Sequence, residues 1–457
     1  MKTTVFNELQ KFVSIPSVST DPARTAAMSE AVVFLKKKLE SLHFAVEILE
    51  NGGSPPLVFA QLIIPKAKTS IGIYGHYDVQ PEDPIGKWKS PPFELTARDG
   101  KLYGRGVADN KGHIIQNIAA IEELLVRGEL KSSITFLLEG EEECGSGHLE
   151  KYIEKKHVAL AKVDVFFVTD EDMHAKNVPQ IIYALRGLIY FEVQVTIGNI
   201  DLHSGVYGNA VHNPAQVLSD LFAALKDSST GEVLIDGFYD DVRQLDEEEL
   251  ALLEKGAVTQ EAFQNEMEAH GSRAFRGQST YLAPKIFPSL DIHGLHSGFT
   301  GEGTKTVIPR KARAKFSCRL VENQEGKKMN DLVVRFIENY FAARYQSADL
   351  SVESPVRYSI TTHAYDDPFY CSIDDPYIQK TAQILTEHFG NETIFMRDGG
   401  SIPVAEIIQR ILDKPVVLTG FVLPDSALHA PNENFDEEMF YSGIEALQKV
   451  YSSLENV

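Results

Sequence analysis

Three short apolar runs each end in a histidine or in acids, and that pattern restricts what this chain can fold into. Ile71-Gly72-Ile73-Tyr74 leads into Gly75-His76-Tyr77-Asp78. Ser133 to Leu138 leads into Glu139-Gly140-Glu141-Glu142-Glu143, and Val163 to Thr169 into Asp170-Glu171-Asp172. Runs this short and apolar read as buried strands. Helices lie between them, which makes the strands parallel. Open α/β sheets put their sites at the C-terminal ends of such strands.

The loop Gly104-Arg105-Gly106-Val107-Ala108-Asp109-Asn110-Lys111-Gly112-His113 precedes a helix. Ile114, Ile115, Ile118, Ile121, Leu124 and Leu125 repeat at helical spacing, and Asn110 is the expected N-cap. Asp109 therefore sits at a helix N-terminus, where the backbone favours an anion. His76 and Asp78 are two apart, so on an extended backbone they share a face, as a ligand and its orienting partner do. A late loop, Ala427-Leu428-His429-Ala430-Pro431-Asn432-Glu433, adds another histidine.

The texture changes near Arg186. Leu188 to Ile197 alternates as a strand with one open face does, and Thr304 to Leu320 holds a second long strand broken at Pro309. Helices are expected near Pro214 to Lys226, Asp246 to Ala269 and Met329 to Arg344. Near Pro368 the first texture returns, with a helix at Tyr377 to Phe389, a strand at Val416 to Leu418 and a closing helix at Phe435 to Leu454. The expected fold is α/β with two domains. Residues 1–185 and 368–457 form an α/β domain with a mainly parallel sheet, interrupted by an inserted α+β domain at 186–367.

A net charge of -21 over 457 residues opposes binding to nucleic acid or to anionic membranes. Three cysteines, Cys144, Cys318 and Cys371, make no disulfide framework and point to a reducing compartment. The N-terminus lacks a signal-peptide core, and no run reaches the length of a membrane span. The expectation is a cytoplasmic protein. No G-x-S-x-G elbow, phosphate-binding loop or H-E-x-x-H pair is present. Cys144 lies among acids that would raise its pKa, which weakens it as a nucleophile.

His76, Asp78, Asp109, Glu141 to Glu143, Asp170 and His429 are the groups left to explain. Carboxylates gathered in one place repel unless cations neutralise them. Two divalent ions about 3.5–4 Å apart, sharing a bridging carboxylate, would do so. Mixed histidine and carboxylate ligands suit zinc, with manganese or cobalt also fitting. The inventory leaves a spare glutamate as general base for a hydrolase. The residues alone leave open which of Glu141, Glu142 and Glu143 is base and which is ligand. A non-catalytic metal-binding scaffold would lack such a base.

Taken in order, Gly75 to Pro81, Gly104 to Gly112, Glu139 to Ser146, Asp201-Leu202-His203-Ser204-Gly205-Val206-Tyr207-Gly208 and His429 resemble the M20 metallopeptidases. These are two-metal aminoacylases and exopeptidases. Thr306-Val307-Ile308-Pro309 and Gly399-Gly400-Ser401-Ile402-Pro403 are similar to the carnosinase-like dipeptidases among them. The resemblance implies that Asp109 bridges both metals. His76 and Asp170 would complete one site, and Glu143 and His429 the other. Alignment on Glu139-Gly140 and Gly145-Ser146 makes Glu142 the general base, and Asp78 would hold the His76 ring. A cis peptide is implied at Asp109-Asn110. The inserted domain would be a lid that forms a homodimer, with His203 reaching the partner's site to stabilise the reacting carbonyl oxygen. Thr306, Arg319 and Ser401 would hold the substrate's polar groups, Arg319 its carboxylate. The implied activity is cleavage of dipeptides or short peptides with a free C-terminal carboxylate, by a metal-bridging hydroxide. The alternative is an N-acyl-amino-acid deacylase using the same metals. Cys144 departs from the serine common in the family, and Glu171 and Asp172 offer further carboxylates beside Asp170.

Overall fold

Ser70–His76, Ser133–Glu139 and Val165–Thr169 are buried along almost their whole length. They form the middle of one sheet in the computed structural model, which describes residues 2–267, 273–345, 354–400 and 402–457. Ser133–Glu139 and Val165–Thr169 flank Ser70–His76, both parallel to it. Val416–Thr419 extends the parallel set beyond Val165–Thr169. Antiparallel strands close the sheet: Leu57–Leu62 and Ala45–Leu49 on one side, Gln180–Leu185 on the other. His76 lies opposite Glu139 in the register, so the acid-bearing strand ends reach the same edge. The expected α/β class with a parallel centre is what the chain adopts.

The chain divides into two compact units. One comprises Met1–Tyr183, Cys371–Met396 and Ile402–Val457, and the other Ala184–Tyr370 and Arg397–Ser401. In the first, helix Lys111–Arg127 packs against Lys2–Val13 and Glu437–Ser453. Its first three turns are buried on every side, and Gly128 ends it in the left-handed conformation that glycine tolerates. The closing helix starts at Glu437, two residues later than expected. Asn434–Asp436 is a strand paired with Lys101–Tyr103, and the Asp436 carboxylate caps the helix by accepting from the Met439 N–H. Two short helices, Leu149–Lys155 and His157–Leu160, follow the acidic turn.

In the second unit Ser289–Ser297, Lys311–Leu320, Gly187–Thr196 and Arg357–Asp366 form an antiparallel sheet in that order. Ile189, Phe191, Val193 and Val195 point to a core shared with helices Pro214–Leu225 and Gly326–Tyr345. The sequence signals only the two central strands. The two edge strands are exposed along most of their length, so burial imposes no alternation on them. Among the described residues no helix is long and apolar enough to cross a membrane.

Gly112 shows how tightly the Asp109 loop folds onto its helix. A Cβ there would lie 1.9 Å from the Val107 carbonyl oxygen. Gly112→Ala should destabilise the protein by about 3 kcal/mol or more, because rigid backbone must move. Chemical denaturation measures this, and an unchanged midpoint would show that the loop yields.

Candidate metal centre

Five segments of the first unit converge. His76 comes from the end of a central strand, Asp109 from the loop before the buried helix, and Glu142 and Glu143 from the turn after Ser133–Glu139. Asp170 follows Val165–Thr169, and His429 comes from the late loop. The Asp109 carboxylate lies between the histidines: Oδ1 is 2.8 Å from His76 Nε2 and Oδ2 is 2.8 Å from His429 Nε2. Asp170 Oδ2 stands 3.5 Å from His76 Nε2, and Glu143 Oε2 stands 3.3 Å from His429 Nε2. Two groups result, His76–Asp109–Asp170 and Asp109–Glu143–His429, with ligand atoms within 4.8 Å of one another in each. They share Asp109.

These donors fit divalent cations. His76 Nε2 and Glu143 Oε1 are buried and lack an aligned hydrogen-bond partner, although His76 Nε2 is close to Asp109. Imidazole and carboxylate are the ligands zinc, manganese and cobalt accept.

The charges explain the protonation pattern. Burial alone would lower the His76 pKa, but Asp170, Asp109 and Asp78 outweigh it and hold the ring's proton well above the usual range. Hydrogen bonds to Asp109 and then Glu143 raise His429 to about 10. Burial works against the Asp109 charge, yet bonds from His429 and His76 keep its carboxyl far below the ordinary value. Proton and metal compete for these nitrogens. Metal uptake therefore releases protons and weakens as pH falls through the histidines' raised range. Burial, followed by Asp170, Asp109 and Glu143, pushes Glu142 up to about 9 against the pull of His76.

The glutamates of the acidic turn have separate tasks. Glu139 is buried, accepting from Tyr74 and Ser146. Glu141 accepts from the His148 N–H at 2.7 Å and meets the His148 ring, ahead of helix Leu149–Lys155. Glu143 takes Gln80 Nε2 at 2.7 Å on its site-facing oxygen. Asp78 ties the turn to the strand. Its carboxylate accepts the Glu142 and Glu143 N–H groups at 3.3 and 3.1 Å and lies 3.4 Å from His76 Nδ1, which is also 3.1 Å from the Asp78 carbonyl. Cys144 lies in the same turn, and burial with Asp78, Glu141 and Glu139 raises its thiol pKa.

One sequence expectation fails here. Asn110 occupies the N-cap position but its side chain makes no cap bond. Nδ2 instead donates to the Thr169 carbonyl at 2.9 Å and to Asp170 Oδ1 at 2.5 Å, fixing a candidate ligand. The Asp109-Asn110 peptide is cis.

Glu433 was not read as functional from the sequence. It is fully buried. Oε1 accepts the Ala108 and Asp109 N–H groups at 2.9 and 3.1 Å, and Oε2 accepts the Gly106 N–H at 3.0 Å and Arg105 Nη1 at 2.6 Å. It clamps the backbone of the loop that presents Asp109. The available signal was an acid four residues after His429 in a proline-containing loop, far in sequence from the single arginine of Gly104-Arg105-Gly106.

The other candidates lie in the second unit. Leu202–His203 pairs with Val307–Ile308, and the Ser204 N–H donates to the Thr306 carbonyl, so His203 and Thr306 are brought together. The His203 ring accepts from the Gly205 N–H at 3.0 Å. Arg319 lies near the far end of Lys311–Leu320, opposite Leu188 and Ser289. Ser401 lies outside the described residues.

A family model described as peptidase family M20/M25/M40 matches residues 72–453. The chain belongs to that family. Human Beta-Ala-His dipeptidase is 33% identical over 449 residues, covering 95% of this chain and 87% of the relative. A Cys-Gly metallodipeptidase of Candida albicans is 31% identical over 466 residues, covering 98% and 94%. The solved M20 family metallo-carboxypeptidase of Sulfolobus solfataricus superposes with a TM-score of 0.86 at 31% identity, over 99% of each chain. These similarities bear out the resemblance read from the motifs, down to the dipeptidase branch.

Glu433→Gln should cost about 3–5 kcal/mol, because it leaves the buried Arg105 without its counter-ion and turns an amide N–H toward backbone donors. Bound metal per subunit should fall with it. Denaturation and metal analysis of the same preparation check both, and full metal content at wild-type stability would remove the clamp.

Proposed function

We propose that the chain is a dimetal hydrolase that cleaves the peptide bond of dipeptides, or short peptides, with a free C-terminal carboxylate. The observation that carries this reading is Asp109, held 2.8 Å from a histidine on each side and common to both ligand groups. His76 and Asp170 would hold one ion, and Glu143 and His429 the other. Zinc is the metal we favour, with manganese or cobalt as substitutes. The ions supply Lewis acidity, which neutralises the carboxylates and activates water toward a polarised carbonyl.

Glu142 takes the water's proton and passes it to the leaving amine. Glu142 belongs to neither ligand group, which leaves its carboxylate for proton transfer. Asp78 positions the His76 ring and the backbone of both Glu142 and Glu143. Arg319 is assigned to the substrate carboxylate. Its side chain makes no hydrogen bond among the described residues, and its Nη1 is buried without a partner. Thr306 and Ser401 are assigned to the substrate's remaining polar groups. The relatives named as dipeptidases favour the peptide over the N-acyl-amino-acid reading.

His203 and Arg319 cannot readily serve one small substrate from the same inserted unit. His203 and Thr306 attach to the end of the ladder where Thr196 pairs with Lys311, and Arg319 lies eight residues further along that strand. At the usual rise this is about 26 Å, whereas a dipeptide spans about 7 Å. The separation supports a homodimer through the inserted domain, in which His203 stabilises the carbonyl oxygen at the partner's site. Three free cysteines accord with a cytoplasmic location.

Glu142→Gln should lower turnover about a hundred- to ten-thousand-fold while metal analysis still finds two ions. Retained turnover would take Glu142 out of this role. Mixing inactive Glu142→Gln chains with His203→Ala chains should restore about a quarter of wild-type activity, since each hybrid dimer assembles one intact site. Absence of recovery after subunit exchange would leave His203 serving its own chain.

A further inference from the structure

The second unit buries an arginine that makes no ion pair among the described residues. Arg186 is 7% exposed and meets no carboxylate in an ion pair among the described residues. Its Nη2 donates only to the Phe287 carbonyl at 3.2 Å and to Ser289 Oγ at 2.9 Å, and its Nε is buried without a partner. Arg319 approaches from the neighbouring strand, where Ser289 is its register partner. Burial and then the Arg319 charge lower the Arg186 pKa to about 10, against the weaker pull of Asp291 and Asp398, neither of which forms an ion pair with it. Unpaired buried cations are costly, and two that repel one another more so.

The same unit pairs its other buried arginine fully. Arg397, 1% exposed, binds Glu322 through both Nη groups and reaches Glu249 as well. The lack of an ion pair at Arg186 is therefore a local property.

Arg186 lines a cavity of about 240 Å³ together with Lys226, Arg273, Thr280 and Asp291. Lys226 is satisfied by Asp291 Oδ1 at 3.0 Å and the Leu290 carbonyl at 2.6 Å. Arg273 contacts the Ser228 and Ser229 carbonyls. The Thr280 hydroxyl is buried and unpartnered. Three cations face one carboxylate, so the polar part of the lining has an excess of positive charge. Phe275, Phe287, Pro284 and Pro288 supply an apolar wall.

We propose that this cavity binds a small organic acid, its carboxylate on Arg186, Arg273 and the Thr280 hydroxyl and its apolar body against the phenylalanines and prolines. An oxyanion would give Arg186 the partner that the fold omits, in a bidentate geometry guanidinium favours. A free amino acid fits less well, because its ammonium would meet the cations while Asp291 is already engaged by Lys226.

Calorimetric titration of the metal-loaded protein with benzoate tests this. Saturable binding is expected, with none for the uncharged isostere benzamide and weaker binding for phenylalanine. Arg186→Gln should weaken benzoate at least about tenfold, the worth of a charge-assisted bond. Arg273→Gln, at an exposed position with only main-chain partners, should weaken it too and covers the case in which Arg186→Gln does not fold. Binding should persist in His429→Ala. The proposal is overturned if benzoate fails to bind, if binding is untouched by Arg273→Gln or lost in His429→Ala, or if benzamide binds equally. Phenylalanine matching benzoate would overturn the organic-acid assignment, and inorganic phosphate binding where benzoate does not would overturn the apolar half.

Discussion

The first unit depends on holding Asp109 between two imidazoles. Asp78, Asp109, Glu142, Glu143 and Asp170 arrive from separate segments, and like charges about 4 Å apart repel by about 4 kcal/mol near a protein surface. Association of these segments cannot rest on mutual attraction of the acids. The fold meets the difficulty with neutral donors. Backbone N–H groups bind Asp78 and Glu433, and side-chain amides bind Asp170 and Glu143. Each contact holds a carboxylate or a loop in place without consuming the positive charge that the two ligand groups can accept.

The parallel centre and its acid-bearing ends were legible because burial on both faces makes such strands continuous apolar runs, and the acids that follow interrupt them abruptly. The Glu433–Arg105 contact was not legible. It joins loops 328 residues apart, and neither residue carries a periodic signal. Asn110 was read from local capping chemistry, but a tertiary partner at Asp170 outcompeted the cap. The two edge strands of the second unit were lost because half-exposed strands need no alternation. The acidic turn was only partly legible: spacing could place its glutamates near the site but could not show that Glu141 is used locally by His148.

The two units treat charge in opposite ways. The first gathers carboxylates around histidines, a set that only cations complete. Among the described residues the second leaves Arg186 and Arg319 without an ion pair, although Arg397 shows that it can match a buried guanidinium with two carboxylates. In a chain with a net charge of -21, carboxylates are plentiful, so a buried arginine without an ion pair reflects how the nearby acids are placed and engaged. On the proposed readings, both arrangements would gain stability when the complementary ion binds, by linkage.

The sheet of the second unit adds a constraint of length. A ladder that carries His203 and Thr306 at one end and Arg319 at the other spans more than one small substrate. On the proposed reading each ladder therefore contributes to two sites, recognising a carboxylate in one and stabilising a carbonyl oxygen in the other. Strand length then becomes a functional variable. Deleting two residues from Gly187–Thr196 and its partner would preserve the alternation that buries Ile189 and Phe191, yet would shorten the reach between the ends by about 7 Å. Such a chain would keep its core and misplace one of its two contributions. On that reading the spacing of these residues is set by the distance between active sites, a requirement that packing within a single chain does not impose.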